Sequence, residues 1–225
     1  MCNWGKNNNL GVDAMSRYSK RVNWVTVFSL ILMMVLLNGE RTLASANNDP
    51  LVQLQKSTDE ILMILQSEEL KVPEKKEERK QFILNVINRM FDFREMARSS
   101  LGPSWNNLTA AEQDRFVDLF ARLVEQRYIG KIDSYNDQKV IYKEQHVQNN
   151  RARVYTALID KDLEIPIDYS LQMIQGRWLI RDLKIENVSL VANYRRDFNS
   201  IIRKEQFAGL VKKITEQLEK SDMQN

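Results

Sequence analysis

The sequence predicts an α+β domain: a curved four-stranded antiparallel sheet, covered on one face by N- and C-terminal helices and enclosing an apolar pocket. Three observations carry this. Helical apolar periodicity fills residues 51–135 and 190–218, with strand periodicity over 140–188 between them. The turn signals "HVQNNRAR", "DKDLE" and "QGR" separate the strand segments, so neighbouring strands pair as a meander. The fourth strand changes the parity of its apolar residues partway, from Trp178 and Ile180 to Leu183 and Ile185. An extra residue near Arg181 and Asp182 restores a single face and curls the sheet.

The chain has 225 residues, room for one domain with a substantial core. Residues 1–46 stand apart. Lys6, Arg17, Lys20 and Arg21 form a basic start, "VTVFSLILMMVLL" (Val25 to Leu37) is apolar and uncharged, and "ASA" (Ala44 to Ala46) supplies small residues. That is the three-part pattern of a secretory signal peptide, and the apolar run is short of the ~20 residues of a membrane span. Cleavage is expected after Ala46, leaving 47–225 as a single domain; an uncleaved anchor is the alternative. The polar stretch before Met15 is long for a leader, so Met1 and Met15 are both candidate starts.

Five of the 33 Lys and Arg and two of the 30 Asp and Glu lie in residues 1–46, so the remainder is electrically neutral. Nucleic acid, which demands a strong positive field, is not an expected partner. The one cysteine, Cys2, lies in the leader, which excludes a disulfide, a thiol nucleophile or a thiolate metal site in the domain. An exported, disulfide-free domain of this size suits a Gram-negative periplasm.

The helices follow from spacing and caps. Leu51, Leu54, Ile61, Leu62 and Leu65 recur on one face. Pro73 stands at a helix start, with Phe82, Ile83, Val86, Ile87 and Met90 as the apolar side behind it. "DFRE" (Asp92 to Glu95) reads as a capping box into a short helix ended by "LGP". "TAAE" (Thr109 to Glu112) is a second capping box. It opens the longest stripe, from Phe116, Leu119, Phe120, Leu123 and Val124 through Tyr128 and Ile132 to Tyr135. The strands are read as Val140 to Val147, Arg151 to Ile159, Ile165 to Ile174 and Arg177 to Val188. On the third, Ile165, Ile167, Tyr169, Leu171 and Met173 face inward while Pro166, Asp168, Ser170 and Gln172 face outward. Two apolar faces close the chain: Leu190, Val191, Tyr194, Phe198, Ile201 and Ile202, then Phe207, Leu210, Val211, Ile214 and Leu218.

Chemistry-bearing motifs are sparse. The domain has one histidine, His146, expected as a half-exposed strand residue, and no phosphate-binding or dinucleotide glycine motif. "DKD" (Asp160 to Asp162) is a turn signal without the length or glycine of a calcium loop. Asp182, at the bulge, is expected to pair with an arginine rather than act in catalysis. Tyr128, Tyr135 and Tyr169 are aromatics at core spacing that are also suited to line a ligand site. A curved sheet under helices leaves an apolar gap, the natural place for a ligand.

The stretch "DLKIENVSLVANYRRDFNSII" closely resembles the signature of the MlaC family, also called toluene-tolerance or ABC-transporter auxiliary proteins. Asp182, Ile185, Glu186, Val188, Ser189, Leu190, Asn193, Tyr194, Arg195 and Phe198 match the family pattern. "FDFREMARSSLGPSWNNLTAAEQDRFVDLFARLVEQRY" (Phe91 to Tyr128) and the approach Trp178 to Asp182 fit as well. Asn187 stands where the family commonly has glycine, and Gln206 replaces another.

The resemblance implies a non-enzymatic periplasmic carrier that keeps the outer membrane's lipid asymmetry. It would pass phospholipid between an MlaA-type outer-membrane lipoprotein with its porin and the MlaD-type MCE subunit of an inner-membrane ABC transporter. It implies no cofactor, bound phospholipid being cargo. The acyl-chain pocket is then expected to be lined by Leu123, Tyr128, Ile132, Val154, Leu158, Ile167, Tyr169, Leu171, Trp178, Ile180 and Val191. These take the inward parity of strands or the apolar face of helices. Two rival readings use the same elements. One is a cone-shaped α+β enzyme of isomerase or hydratase type, needing a buried carboxylate of raised pKa. The other is a periplasmic chaperone or adaptor with an exposed apolar groove.

Overall fold

Helix α1 (Pro50–Gln66) starts at Asp49, whose Oδ1 accepts from the N–H groups of Leu51 and Val52 at 2.9 and 3.0 Å. The computed structural model describes residues 48–133 and 138–223, which belong to one compact unit. The leader of residues 1–46 and Tyr135 lie outside the described residues. Two short 3₁₀ turns lead to α2 (Lys76–Met90), followed by α3 (Phe93–Leu101), the 3₁₀ segment Gly102–Asn107 and α4 (Ala110–Asp133). Among the described residues no helix is long and apolar enough to cross a membrane.

The two capping boxes behave differently. At α4 both halves form: the Thr109 N–H donates to Glu112 Oε2 at 2.8 Å, and the Glu112 N–H donates to Thr109 Oγ1 at 3.3 Å. At α3 only the first half forms. Asp92 Oδ1 accepts from the Glu95 N–H at 2.9 Å, but the Asp92 N–H donates to the carbonyl of Ile180 at 2.8 Å. The backbone of the sheet has taken the donor that Glu95 would have satisfied. Glu95 instead accepts from Arg98 Nε at 2.8 Å and from Arg181 at 3.4 Å.

The sheet is a meander in the order β1-β2-β3-β4-β5, with every neighbouring pair antiparallel. Its strands are β1 (Lys139–Gln148), β2 (Arg151–Asp160), β3 (Leu163–Ile174), β4 (Arg177–Ile185) and β5 (Val188–Ser189). Five strands replace the four expected. The segment read as one strand to Val188 stops at Ile185 and reverses through Glu186 and Asn187, whose φ values are +50° and +65°. Two consecutive left-handed residues are what a type I′ hairpin requires, and Val188 then pairs back on Ile185. Asn187, in the position where glycine is common, has the conformation that glycine would have taken freely.

The bulge is where the parity switch placed it. Ser170 pairs with Asp182 and Leu171 with Ile180, so Arg181 is the extra residue. Ala152, Val154, Leu171, Trp178 and Ile180 therefore share one face and pack against Leu54 of α1 and Val86 and Met90 of α2. Gln53 seals α1 onto β4 with both ends of its amide. Its Nε2 donates to the Trp178 carbonyl at 2.5 Å, and its Oε1 accepts from the Trp178 N–H at 3.0 Å. The Trp178 indole also donates to the Asn48 carbonyl at 2.7 Å.

A second apolar cluster is helical. It joins α3, α4 and the C-terminal helix α5 (Leu190–Asp222) around Met96, Leu101, Trp105, Phe116, Phe120 and Leu210. Aromatic rings fasten α4 to α5: Phe116 meets Phe198 at 5.8 Å and Phe120 meets Tyr194 at 5.4 Å, both edge to face. The two apolar faces expected at the C-terminus lie on one 33-residue helix broken at Gln206, where φ is 62° and ψ is −177°. That backbone region belongs almost wholly to glycine and costs other residues of order 1–3 kcal/mol.

Gln206→Gly should therefore raise stability by about 1 kcal/mol, the relief of strain exceeding the added flexibility of the unfolded chain. Gln206→Ala should bring no such gain. Denaturant unfolding of the three proteins checks this, and a less stable glycine variant would show that the glutamine is unstrained.

Candidate lipid-binding site

One cross-strand row organises the site. His146 of β1 pairs with Arg153 of β2, Arg153 with Ser170 of β3, and Ser170 with Asp182 of β4. This row lies on the sheet face opposite Leu171 and Val154. It ends at the corner into α5, where Asp182 Oδ2 accepts from Ser189 Oγ at 2.7 Å and Oδ1 from the Val191 N–H at 3.1 Å. Ser189 Oγ in turn accepts from the Ala192 N–H at 3.0 Å, the ordinary N-cap bond. The expectation that Asp182 pairs with an arginine is corrected: its two oxygens fasten the helix start. The neighbouring Arg181 carries the ion pair, with Glu95, and also donates to Gln172 Oε1 at 3.2 Å.

Above this row lies a cleft of about 600 Å³, a normal size for a small-molecule site. Its rim is polar, with His146, Arg151, Arg153, Arg181 and Arg195 facing a single acid, Asp182. Its least exposed lining residues are apolar: Ala152, Leu171 and Val191. Ala152 and Leu171 belong to the sheet cluster, their side chains on the far face of the sheet, and Val191 to the helical cluster, so residues of both clusters border one opening. Among the described residues no group of three or more His, Cys, Asp or Glu is placed to hold a metal ion.

The eleven residues expected to line a pocket divide among three environments. Val154, Leu171, Trp178 and Ile180 are buried in the sheet cluster, with Tyr169 packed against it. Leu123 and Val191 are buried in the helical cluster, with Tyr128 packed against it. Ile132, Leu158 and Ile167 are half-buried and outside both clusters. Leu171 and Val191 alone among the eleven line the cleft. Of the basic rim only Arg195 carries a signal in the sequence, as part of the family pattern that leaves Arg195 or Arg196 available for a partner or headgroup; Arg151 and Arg153 are outward-parity residues of a strand whose register was unknown.

Two tyrosines are strongly affected by burial. Burial pushes the Tyr169 phenol up, with Tyr142 adding to the effect. Tyr194, packed at 5.2 Å from the Phe198 ring, is pushed up to about 12 by burial, against the opposing pull of Arg127. The Tyr194 hydroxyl is buried without a hydrogen-bond partner among the described residues. Burial also pushes the Glu125 carboxyl up, but Glu125 is on α4 and does not line the cleft.

Fold and cleft together define the class: a curled-sheet α+β domain with a basic-rimmed opening bordered by residues of two apolar clusters. A family model described as "MlaC protein" matches residues 55–216, and the chain belongs to the MlaC family. It is 22% identical over 197 residues to the intermembrane phospholipid transport system binding protein MlaC of Haemophilus influenzae, covering 85% of this chain and 91% of that one. It shares its fold with the phospholipid-binding protein from Ralstonia solanacearum, solved in complex with a phospholipid. The TM-score is 0.69 at 19% identity, over 77% of this chain and 99% of that one.

Asp182→Ala should cost about 1–2 kcal/mol in denaturant unfolding, because it orphans the Val191 N–H and the Ser189 hydroxyl together. Asp182→Asn, which keeps one acceptor, should cost less; equal losses would assign the effect to charge.

Tyr194 supplies a pH test. Its folded pKa is raised, so the stability it contributes is fully present below the unfolded phenol value of 10 and is lost as pH rises through about 12. Tyr194→Phe should be neutral or stabilising at pH 7 and should reduce the loss between pH 10 and 12. A loss at pH 7 from that variant would mean the hydroxyl is satisfied.

Proposed function

We propose that this chain is a periplasmic phospholipid carrier, exported with residues 1–46 as its signal peptide and functioning as the domain 47–225. It takes lipid from one membrane and delivers it to the other, working with an MlaA-type outer-membrane lipoprotein and an MlaD-type subunit of an inner-membrane ABC transporter. The activity maintains the lipid asymmetry of the outer membrane. The observation that carries this reading is one cleft bordered by residues of two separate apolar clusters, in a chain of the MlaC family. The names of the relatives point the same way: one is a phospholipid transport binding protein and the other holds a phospholipid.

The energetics suit the task. Two acyl chains of about fifteen methylenes each, at ~0.8 kcal/mol per buried CH₂, call for roughly 24 kcal/mol of sequestration during transit through water. A gap between the sheet and its covering helices would supply that without the unfolding of either layer. The eleven residues named above are proposed as the acyl-chain lining, with Leu171 and Val191 at the entrance. The enzyme alternative asks for a carboxylate of raised pKa in the cleft, and the carboxylate that burial raises, Glu125, is elsewhere.

Native mass spectrometry of the purified protein should show phospholipid bound at a fixed ratio. Leu171→Asp should fold and lose most of that lipid, because the new carboxylate lies where acyl chains should lie and water can enter there when lipid leaves. Leu119→Asp should impair folding, since Leu119 is buried in the helical cluster, where an unpaired charge costs several kcal/mol. Unfolding of Leu171→Asp to the same degree would make Leu171 plain core. A folded Leu171→Asp protein with a full lipid load would overturn the carrier route drawn here.

A further inference from the structure

The rim of the cleft is more basic than the protein around it. Residues 47–225 are electrically neutral, yet four arginines and His146 surround the opening against one acid. Two of these charges are already engaged: Arg181 is paired with Glu95, and Asp182 is occupied by Ser189 and Val191. No ion pair joins Arg151, Arg153 or Arg195 to any carboxylate among the described residues, and all three are exposed. Like charges gathered around one concavity raise one another's potential, which an anion placed among them relieves.

Arg195 is placed by packing. Gly102 has φ +59°, and a Cβ there would lie 3.0 to 3.4 Å from Nη2, Nε and Cζ of Arg195. The guanidinium rests against bare backbone, held in place without a neutralising partner. Arg153 is placed by register, in the row that runs from His146 to Asp182. With Arg151, which lines the same cleft, they gather three guanidinium groups without acids around one opening, and planar Arg forks bind the oxygens of phosphate with paired hydrogen bonds. The hydroxyls of Ser99 and Ser170 add polar groups to the same lining.

We propose that Arg151, Arg153 and Arg195 form a phosphate-binding site at the mouth of the cleft. The phosphate is either the headgroup phosphate of a carried lipid or free phosphate, and Val191 of the helical cluster borders the same opening as the arginines. In the headgroup form the proposal rests on the carrier reading; the site itself does not.

The test compares delipidated wild type with the double variant Arg151→Gln/Arg153→Gln, both substitutions being at exposed positions with matched circular-dichroism melts as control. Each protein is offered detergent-dispersed phosphatidylglycerol or diacylglycerol of the same acyl chains, and separately inorganic phosphate at low and high salt. Wild type should take phosphatidylglycerol about tenfold better than diacylglycerol. The variant should lose that preference while keeping its diacylglycerol uptake, which identifies the headgroup as the source. Inorganic phosphate binding that is weakened by salt and lost in the variant, with lipid preference unchanged, identifies free phosphate instead. Equal behaviour of the two proteins in both arms overturns the site. Failure of wild type to take up either lipid overturns the carrier reading, and the phosphate arm still decides the site by itself.

Discussion

The extra residue at Arg181 makes Asp182 and Ile180 pair with consecutive residues of β3, so everything beyond it on β4 is turned by one side-chain position. Because side chains alternate with a period of two, this single insertion keeps Leu183 and Ile185 on the face of Trp178 and Ile180. It also sends Arg181 to Glu95 and leaves Asp182 over the start of α5. The corner, the capped helix and the cleft beside them all depend on that one unpaired residue. Without it α5 loses its anchor on the sheet and the cleft loses a wall.

The two apolar clusters are held by different forces. The helical cluster is closed by interlocked aromatic rings between α4 and α5. The sheet cluster is closed by polar bonds around its edge, above all the paired amide of Gln53 on the backbone of Trp178. Directional bonds fix the position of α1, whereas ring packing tolerates small shifts of one helix against another. Where α5 meets the sheet, the fastening is again directional: Asp182 holds the first turn of α5 through Ser189 Oγ and the Val191 N–H.

Much of the fold was legible because local signals agreed with one another. The Thr109 to Glu112 box, the alternation of the third strand and the parity switch at Arg181 each point to one outcome, and each formed. What stayed hidden depends on partners distant in sequence. The Asp92 N–H bonds to Ile180, so the second capping box is only half made, and no local pattern announces that. The fifth strand was missed because Glu186 and Asn187 adopt a turn usually written with glycine. The basic rim needed the strand register, since Arg151 and Arg153 are ordinary exposed arginines until the sheet places them around one opening. Apolar parity marked eleven residues, of which Leu171 and Val191 border the cleft; core and cavity walls share one composition, so parity alone does not separate them.

The division into two clusters has an optical consequence. Residues 48–223 contain two tryptophans, Trp105 in the helical cluster and Trp178 in the sheet cluster, both buried. Each core thus carries its own fluorophore. Trp178 emission follows the loosening of the sheet side and Trp105 that of the helices, so the order in which the halves separate can be watched in the native chain without an added label.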